Sequence, residues 1–233
     1  MSDPSPVVDE ALLKNRWEST LQRLAHAAER SGRTPSQITL VAVSKYRPLE
    51  ALLAQHGFGQ RHFAENRVQE MVRKIPLSPS DCVWHLIGPL QTNKAKYLVE
   101  GVQWIHSIER IKVAEVLEKE FADAGKRVNV LIQVNIAGEE QKSGCTPNEA
   151  PDLVDYVSRQ PHLQLQGLMT MAPYASDPEL ARPVFRALRN LRDQLESSSG
   201  LPLPHLSMGM SGDFEVAVEE GATIVRVGTV LYE

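Results

Sequence analysis

The feature that most constrains this chain is a rhythm. Short apolar runs rich in β-branched residues alternate with polar loops and stretches of helical period, and the cycle recurs eight times. The strand candidates are residues 38–44 (ITLVAVS), 62–65 (HFAE), 82–87 (CVWHLI) and 104–108 (WIHSI) in the first half. In the second half they are 129–136 (NVLIQVNI), 163–171 (LQLQGLMTM), 205–210 (HLSMGM) and 223–227 (TIVRV). A continuous run such as 38–44 is the pattern of a strand buried on both faces. Strands separated by helices pair in parallel through right-handed crossovers. Eight units predict an α/β fold, a single (β/α)₈ TIM-type barrel, and such a barrel takes about 250 residues. The whole chain, 1–233, is therefore read as one barrel domain, with residues 1–8 as a flexible lead. A doubly wound open sheet would want G-x-G-x-x-G after its first strand. Here Val43-Ser44-Lys45-Tyr46-Arg47-Pro48 stands in that place, and no P-loop is present.

One helix is left over at the front. Leu13, Trp17, Leu21, Leu24 and Ala28 repeat at threes and fours, which predicts an extra N-terminal helix over residues 9–30, stopped by Gly32 and Pro35. Ile111, Ala114, Leu117 and Phe121 make a second stripe, with Ser107 as its expected N-cap. Leu180, Val184, Leu188, Leu191 and Leu195 make a third; Pro183 inside it means a late start or a kink. Phe214, Ala217 and Val218 make a short fourth, closed by Gly221.

Composition supports a packed protein. Hydrophobic residues are 42% and charged residues 23%, close to the globular average. With 25 basic against 29 acidic side chains the net charge is −4, which argues against bulk nucleic-acid or anionic-membrane binding. No apolar run approaches the ~20 residues of a membrane span, and the start lacks the pattern of a signal peptide. Two cysteines, Cys82 and Cys145, are too few for a disulfide framework and show no metal-ligand spacing. A cytoplasmic protein is the expectation, with no metal.

In a barrel, chemistry sits where strands end. The first strand ends in Ser44-Lys45. That lysine reads either as a rim residue snorkelling to water or as a Schiff-base amine in a partly dry pocket. After the seventh strand, His205-Leu-Ser-Met-Gly-Met-Ser211-Gly-Asp213 places glycines and serines before a short helix, and the eighth strand ends in Gly228-Thr229. Loops after strands seven and eight commonly cradle phosphate in barrels; the alternative is ordinary turn chemistry. Arg226 lies within the eighth strand among apolar neighbours. It is either an ion-pair partner for a barrel carboxylate or a donor aimed at a ring nitrogen. A lysine on strand one, a phosphate corner at strands seven and eight and an arginine between them suit pyridoxal 5′-phosphate, because a closed barrel makes strands one and eight neighbours. His62, His85 and His106 read as packed or hydrogen-bonded structural residues. The loop 137–146 reads as a solvated charged loop, with a lid carrying Lys142 as a second amine as the alternative.

Several motifs then carry a resemblance. Val41-Ala-Val-Ser-Lys45, Phe63-Ala-Glu-Asn66 with Val68-Gln69-Glu70, and Trp84-His-Leu-Ile-Gly-Pro-Leu-Gln-Thr-Asn-Lys94 come first. Gly167-Leu-Met-Thr-Met-Ala-Pro173, Leu206-Ser-Met-Gly-Met-Ser211 and Val225-Arg-Val-Gly-Thr229 follow. Together they resemble the signatures of the pyridoxal phosphate homeostasis proteins, over nearly the whole chain from residue 38. The resemblance implies an alanine-racemase-like barrel without that enzyme's second domain. It implies that Lys45 carries pyridoxal 5′-phosphate as a Schiff base, that Ser211, Gly228 and Thr229 bind its phosphate, that Arg226 faces the pyridine nitrogen, and that Asn66 is near the cofactor. The chain departs from the pattern at Tyr46-Arg47, at Ala64 in place of a usual glycine, and at its end, Leu231-Tyr232-Glu233, where relatives run on.

An arginine at the ring nitrogen keeps that nitrogen unprotonated, which makes the cofactor a weaker electron sink. The related racemases add a tyrosine base associated with a second domain, which this length does not supply. The expectation is a carrier that binds the cofactor reversibly and buffers or delivers it to apoenzymes, as a monomer. The alternatives are an amino-acid racemase and a barrel enzyme for another phosphorylated metabolite.

Overall fold

The protein is described by a computed structural model that covers residues 8–139 and 143–233. Eight parallel strands close into a barrel in sequence order. They are β1 (Thr39–Val43), β2 (His62–Glu65), β3 (Val83–Leu86), β4 (Trp104–Ile108), β5 (Val128–Gln133), β6 (Leu163–Met169), β7 (His205–Ser207) and β8 (Ile224–Val227). β1 pairs with β2 on one side and β8 on the other, with Val41 opposite Arg226, so the first and last strands meet as expected.

The helices are α1 (Glu10–Arg30), α2 (Leu49–Gly57), α3 (Val68–Lys74), α4 (Ile111–Asp123), α5 (Ala150–Ser158), α6 (Arg182–Ser199), α7 (Phe214–Glu219) and α8 (Thr229–Tyr232). The extra N-terminal helix is α1; the Asp9 side chain caps it by accepting from Leu12 N–H at 2.9 Å. It packs against α2, α7 and α8, with Arg23 paired to Glu215 at 2.7 Å. The third unit departs from the rhythm, since a 3₁₀ helix, Thr92–Tyr97, follows β3 where an α-helix is usual.

One expectation is corrected. Ser107 does not cap α4: it is buried inside β4, and Arg110 holds the cap position without a side-chain bond. Ser107 stays in the sheet because the strand continues to Ile108 before the chain turns. Of the two outcomes open at Pro183 the late start holds, because α6 begins at Arg182 and places the proline in the first turn, where its missing N–H is tolerated. Leu180 consequently precedes α6 and is exposed, and Phe185 takes the buried place with Leu188 and Leu195.

Strand alternation divides the apolar residues into two cores. The larger lies between sheet and helices and includes Leu40, Ala42, Phe63, Trp84, Leu117, Phe121, Phe185 and Leu206. Burying one such side chain contributes about 1.5–3 kcal/mol. The smaller fills the barrel interior with Val41, Val43, Ala64, Leu131, Met169 and Ile224. Polar side chains share this interior: His85, His106, Ser207 and Arg226 are all buried.

Candidate functional site

A cavity of about 350 Å³ opens at the carboxy-terminal ends of the strands. All six residues singled out in the sequence line it: Lys45, Asn66, Ser211, Arg226, Gly228 and Thr229. Ile87, Gln133 and Met171 supply walls and Asp213 another polar group. A larger groove of about 670 Å³ lies beside α1 at the opposite mouth, but Trp17, Leu21 and Leu24 give it an apolar wall. Binding sites of barrels lie at the carboxy-terminal face, and the polar groups agree.

Lys45 does not close β1 as the sequence suggested. The strand ends at Val43, and Lys45 is exposed in the turn that follows. Backbone competition explains the difference. Ser44 N–H still donates to Ala64 O at 2.9 Å, but Ser44 O accepts from Arg47 N–H at 3.0 Å and closes a turn. Tyr46 takes φ +62° in that turn, a conformation that costs a non-glycine residue roughly 1–2 kcal/mol. The turn is anchored from below. Lys74 Nζ donates to Ser44 O at 2.8 Å and to Glu65 Oε1 at 2.6 Å, and Ser44 Oγ donates to the same Oε1 at 2.8 Å. Lys74 and Glu65 are 1% and 0% exposed in their side chains, so the pair is fully desolvated. Breaking such a pair leaves a buried charge without a partner. This anchor was not foreseen in the sequence.

Asn66 follows β2 directly, and the next loop packs against its backbone. A Cβ at Gly88 would fall 2.2 Å from Asn66 O, so only glycine fits there. Gly209 plays a similar part after β7: at φ +91°, its missing side chain would lie 2.6 Å from Ala217 Cβ. That close approach brings the loop 210–213 against α7. Met210 N–H then donates to Asp213 Oδ1 at 2.6 Å. Burial pushes the Asp213 carboxyl up, while Met210 N–H and the Arg226 charge oppose the shift.

The corner between the last two loops is built for an oxygen-rich ligand. Ser211 Oγ accepts from Gly228 N–H at 3.1 Å and from Val230 N–H at 3.4 Å. Two backbone donors thus converge on one oxygen, with the Thr229 hydroxyl between them in sequence. This arrangement suits an anionic oxygen in place of Ser211 Oγ.

Arg226 is buried within β8 and reaches the cavity floor. Its guanidinium donates to Ser207 Oγ at 2.6 Å and to Thr170 O at 2.9 Å. Burial lowers its pKa to about 10, with Asp213 opposing, so it remains a cation at neutral pH. The sequence left open a carboxylate partner in the barrel. The contacts are a hydroxyl and a carbonyl instead, which leaves the positive charge directed at the cavity. Lys142, the alternative second amine, lies outside the described residues.

The three histidines were read as structural, and they are more organised than that reading implied. His62 Nδ1 meets His85 Nε2 at 2.9 Å, His85 Nδ1 meets His106 Nε2 at 2.9 Å, and His106 Nδ1 meets Ser207 Oγ at 2.9 Å. The column therefore joins the Arg226 guanidinium to the far end of the barrel. Its signal was present in the sequence: His62, His85 and His106 occupy inward positions on three successive strands. Elsewhere, His56, Asp81 and Cys82 bring ligand-type atoms within 4.8 Å of one another on the outer surface. Asp81 there is already shared between His56 and Arg61 at 2.7 Å each, so the group reads as an ion-pair cluster.

A closed (β/α)₈ barrel with a lysine, an arginine and an anion corner at one mouth defines a recognisable class. The profile described as alanine racemase, N-terminal domain, matches residues 19–233. Within that class, the chain belongs to the pyridoxal phosphate homeostasis protein family. It is 45% identical over 218 residues to the pyridoxal phosphate homeostasis protein of Aquifex aeolicus, covering 93% of this chain and 96% of that one. It is 40% identical to the protein of the same name from Escherichia coli K12, covering 90% and 91%. Among solved structures, PipY of Synechococcus elongatus with PLP bound superposes with a TM-score of 0.80 at 35% identity, covering 91% and 99%. A D-threonine aldolase from Filomicrobium marinum shares the fold at 16% identity, with a TM-score of 0.80.

Proposed function

We propose that this cavity holds pyridoxal 5′-phosphate and that the protein keeps and delivers the cofactor, within vitamin B6 homeostasis, without a dedicated reaction of its own. The observation that carries the reading is the convergence of Lys45, Asn66, Ser211, Arg226, Gly228 and Thr229 on one cavity. The relative solved with PLP bound supports it. The donor set fits the group. Two backbone N–H groups and two hydroxyls at one corner suit a phosphate, and a buried cation on the floor suits a ring acceptor.

When bound, the cofactor supplies an aldehyde able to join a primary amine reversibly, with loss of water. The chain's residues then have distinct tasks. Lys45 offers the amine from an exposed turn, where exchange with another amine is unobstructed. The Glu65–Lys74 pair holds Ser44 and hence the position of that turn. Gly228 and Val230 N–H groups, with Ser211 and Thr229, bind the anion. Arg226 donates a hydrogen bond at the floor without giving up its proton, which suits holding better than carbanion chemistry. Asn66, directly after β2, would stand near the cofactor. A monomer handing the cofactor to apoenzymes in the cytoplasm completes the reading.

The test is an incubation of cofactor-loaded protein with L-alanine and, separately, with a pyridoxal phosphate-requiring apoenzyme. The expected result is restored apoenzyme activity and no D-alanine. Sustained inversion of alanine by protein purified from a racemase-free host would overturn the carrier reading in favour of a racemase.

A further inference from the structure

The histidine column runs from the cofactor pocket to the groove at the other mouth of the barrel. Arg226 lines the pocket; His62 lines the groove. Between them every link is a hydrogen bond of 2.6–2.9 Å. We propose that Ser207, His106, His85 and His62 form a one-proton relay that positions Arg226 and changes its hydrogen bonding when the relay is protonated.

Proton counting fixes the resting order. Arg226 can only donate, so Ser207 Oγ accepts from it. The hydroxyl proton of Ser207 then has one acceptor in the column, His106 Nδ1. His106 therefore carries its proton on Nε2 and donates to His85 Nδ1, and His85 in turn donates from Nε2 to His62 Nδ1. His62 keeps its proton on Nε2, which has no hydrogen-bond partner among the described residues. In this order every donor between Arg226 and His62 Nδ1 has an acceptor. The reverse order would put two donors on Ser207 Oγ and leave its own hydroxyl proton without an acceptor in the column, which a buried site disfavours.

Uptake of one proton reverses the order. The Ser207 proton moves to His106 Nδ1, the His106 Nε2 proton to His85 Nδ1, and the His85 Nε2 proton to His62 Nδ1. Ser207, itself buried, regains a proton from the Arg226 guanidinium, which lines the pocket and recovers one from water there. His62 ends as a cation with both nitrogens protonated, and the column has gained one proton in all. His106 now competes with Arg226 for Ser207 Oγ, so the grip on the guanidinium loosens.

The surroundings place the added charge at His62. Burial holds His85 and His106 well below the usual imidazole range, with neighbouring charges adding to it: His106 and His62 act on His85, Arg226 and His205 on His106. His62 is lowered by burial alone. The other groups at the column are Trp104, stacked on His85, and His205, edge-on to Trp104. Arg61 shares the groove with His62 but is paired with Asp81. From α1 the groove receives only uncharged side chains, such as Trp17, Leu21 and Gln22. Asp213 is the carboxylate acting on Arg226.

The test has two arms, because the link to the cofactor rests on the proposed function and the relay does not. In the first, nitrogen NMR of the imidazoles reads tautomers in protein without cofactor. The expected result near neutral pH is Nε2–H on all three histidines. Acidification should convert His85 and His106 to Nδ1–H in step with the appearance of the His62 cation, and Ser207→Ala should abolish the uniform order. Titration of His62 with unchanged tautomers at His85 and His106 would overturn the relay. In the second arm, release of pyridoxal 5′-phosphate is timed near pH 7.5 and near pH 5.5. Wild type should release about tenfold faster in acid, the size expected for one charged hydrogen bond, and His62→Gln and His62→Phe less than twofold faster. An unchanged acid acceleration in both variants would overturn the coupling to Arg226. Failure of wild type to take up the cofactor would overturn the proposed function, while the first arm still decides the relay.

Discussion

The barrel has two interiors, and they are built on different principles. The layer between sheet and helices is apolar and continuous, from Leu40 and Phe63 to Phe185 and Leu206. The space inside the strands is small and mixed: Val41, Val43 and Met169 share it with a hydrogen-bonded column of His62, His85, His106, Ser207 and Arg226. The outer layer can be stabilised by area alone, since apolar burial has no direction. The inner column works only if each donor finds its acceptor. The outer layer therefore carries the fold, and the inner one carries a charge to the pocket floor.

The sharpest way to break this contrast lies at a charged pair buried in the outer layer. Lys74→Ala leaves Glu65 as an uncompensated buried charge and should destabilise by about 3–5 kcal/mol. Urea unfolding would read this, and replacing both partners with apolar residues should recover most of the loss. Phe185→Ala should lose a comparable amount, about 3–5 kcal/mol, through a cavity, yet leave cofactor binding unchanged. If Phe185→Ala altered binding as strongly as stability, the separation of the two interiors would fail.

The inner column predicts a pH dependence of known sign. Burial lowers the pKa values of His62, His85 and His106 in the folded state. The unfolded chain then binds more protons below the ordinary imidazole value of about 6.5. Stability should be full above that value and fall as pH drops through it, by up to about 1.4 kcal/mol per pH unit for each buried histidine. Denaturant midpoints between about pH 7.5 and 5 check this. His85→Phe should flatten the slope, whereas a slope unchanged in that variant would show that the column is not its source.

Much of the outer layer was legible in the sequence, because strand and helix periods are local. All eight strands and α1 lie where the apolar runs place them, and Gly221 follows α7 as expected. The failures were also local. Ser107 reads as a cap by residue type, but strand pairing keeps it in β4. Lys45 reads as the last residue of a strand, but the turn from Ser44 O to Arg47 N–H intervenes. Five of the six pocket residues were found because barrels bring strand ends together, and Asn66 came from the family resemblance. The column and the Glu65–Lys74 anchor were not found, because their partners lie on different strands or on a strand and a helix. Only the closed sheet sets those distances.

A smaller effect separates the pocket rim from both interiors. Ser211→Ala removes a hydroxyl from the anion corner without touching either core. Stability should stay within about 0.5 kcal/mol, and cofactor affinity should fall by roughly five- to thirtyfold, the loss of one or two hydrogen bonds. A spectroscopic titration with pyridoxal 5′-phosphate would show it. A free phosphate competitor should compete against the wild-type corner more strongly than against the variant.

The most direct measurement is peptide mass spectrometry of the protein loaded with pyridoxal 5′-phosphate and reduced with borohydride. A single modified residue, Lys45, is the predicted result, with Lys45→Ala unmodified and equally well folded. Modification at another lysine, or equal labelling of Lys45→Ala, would contradict the account.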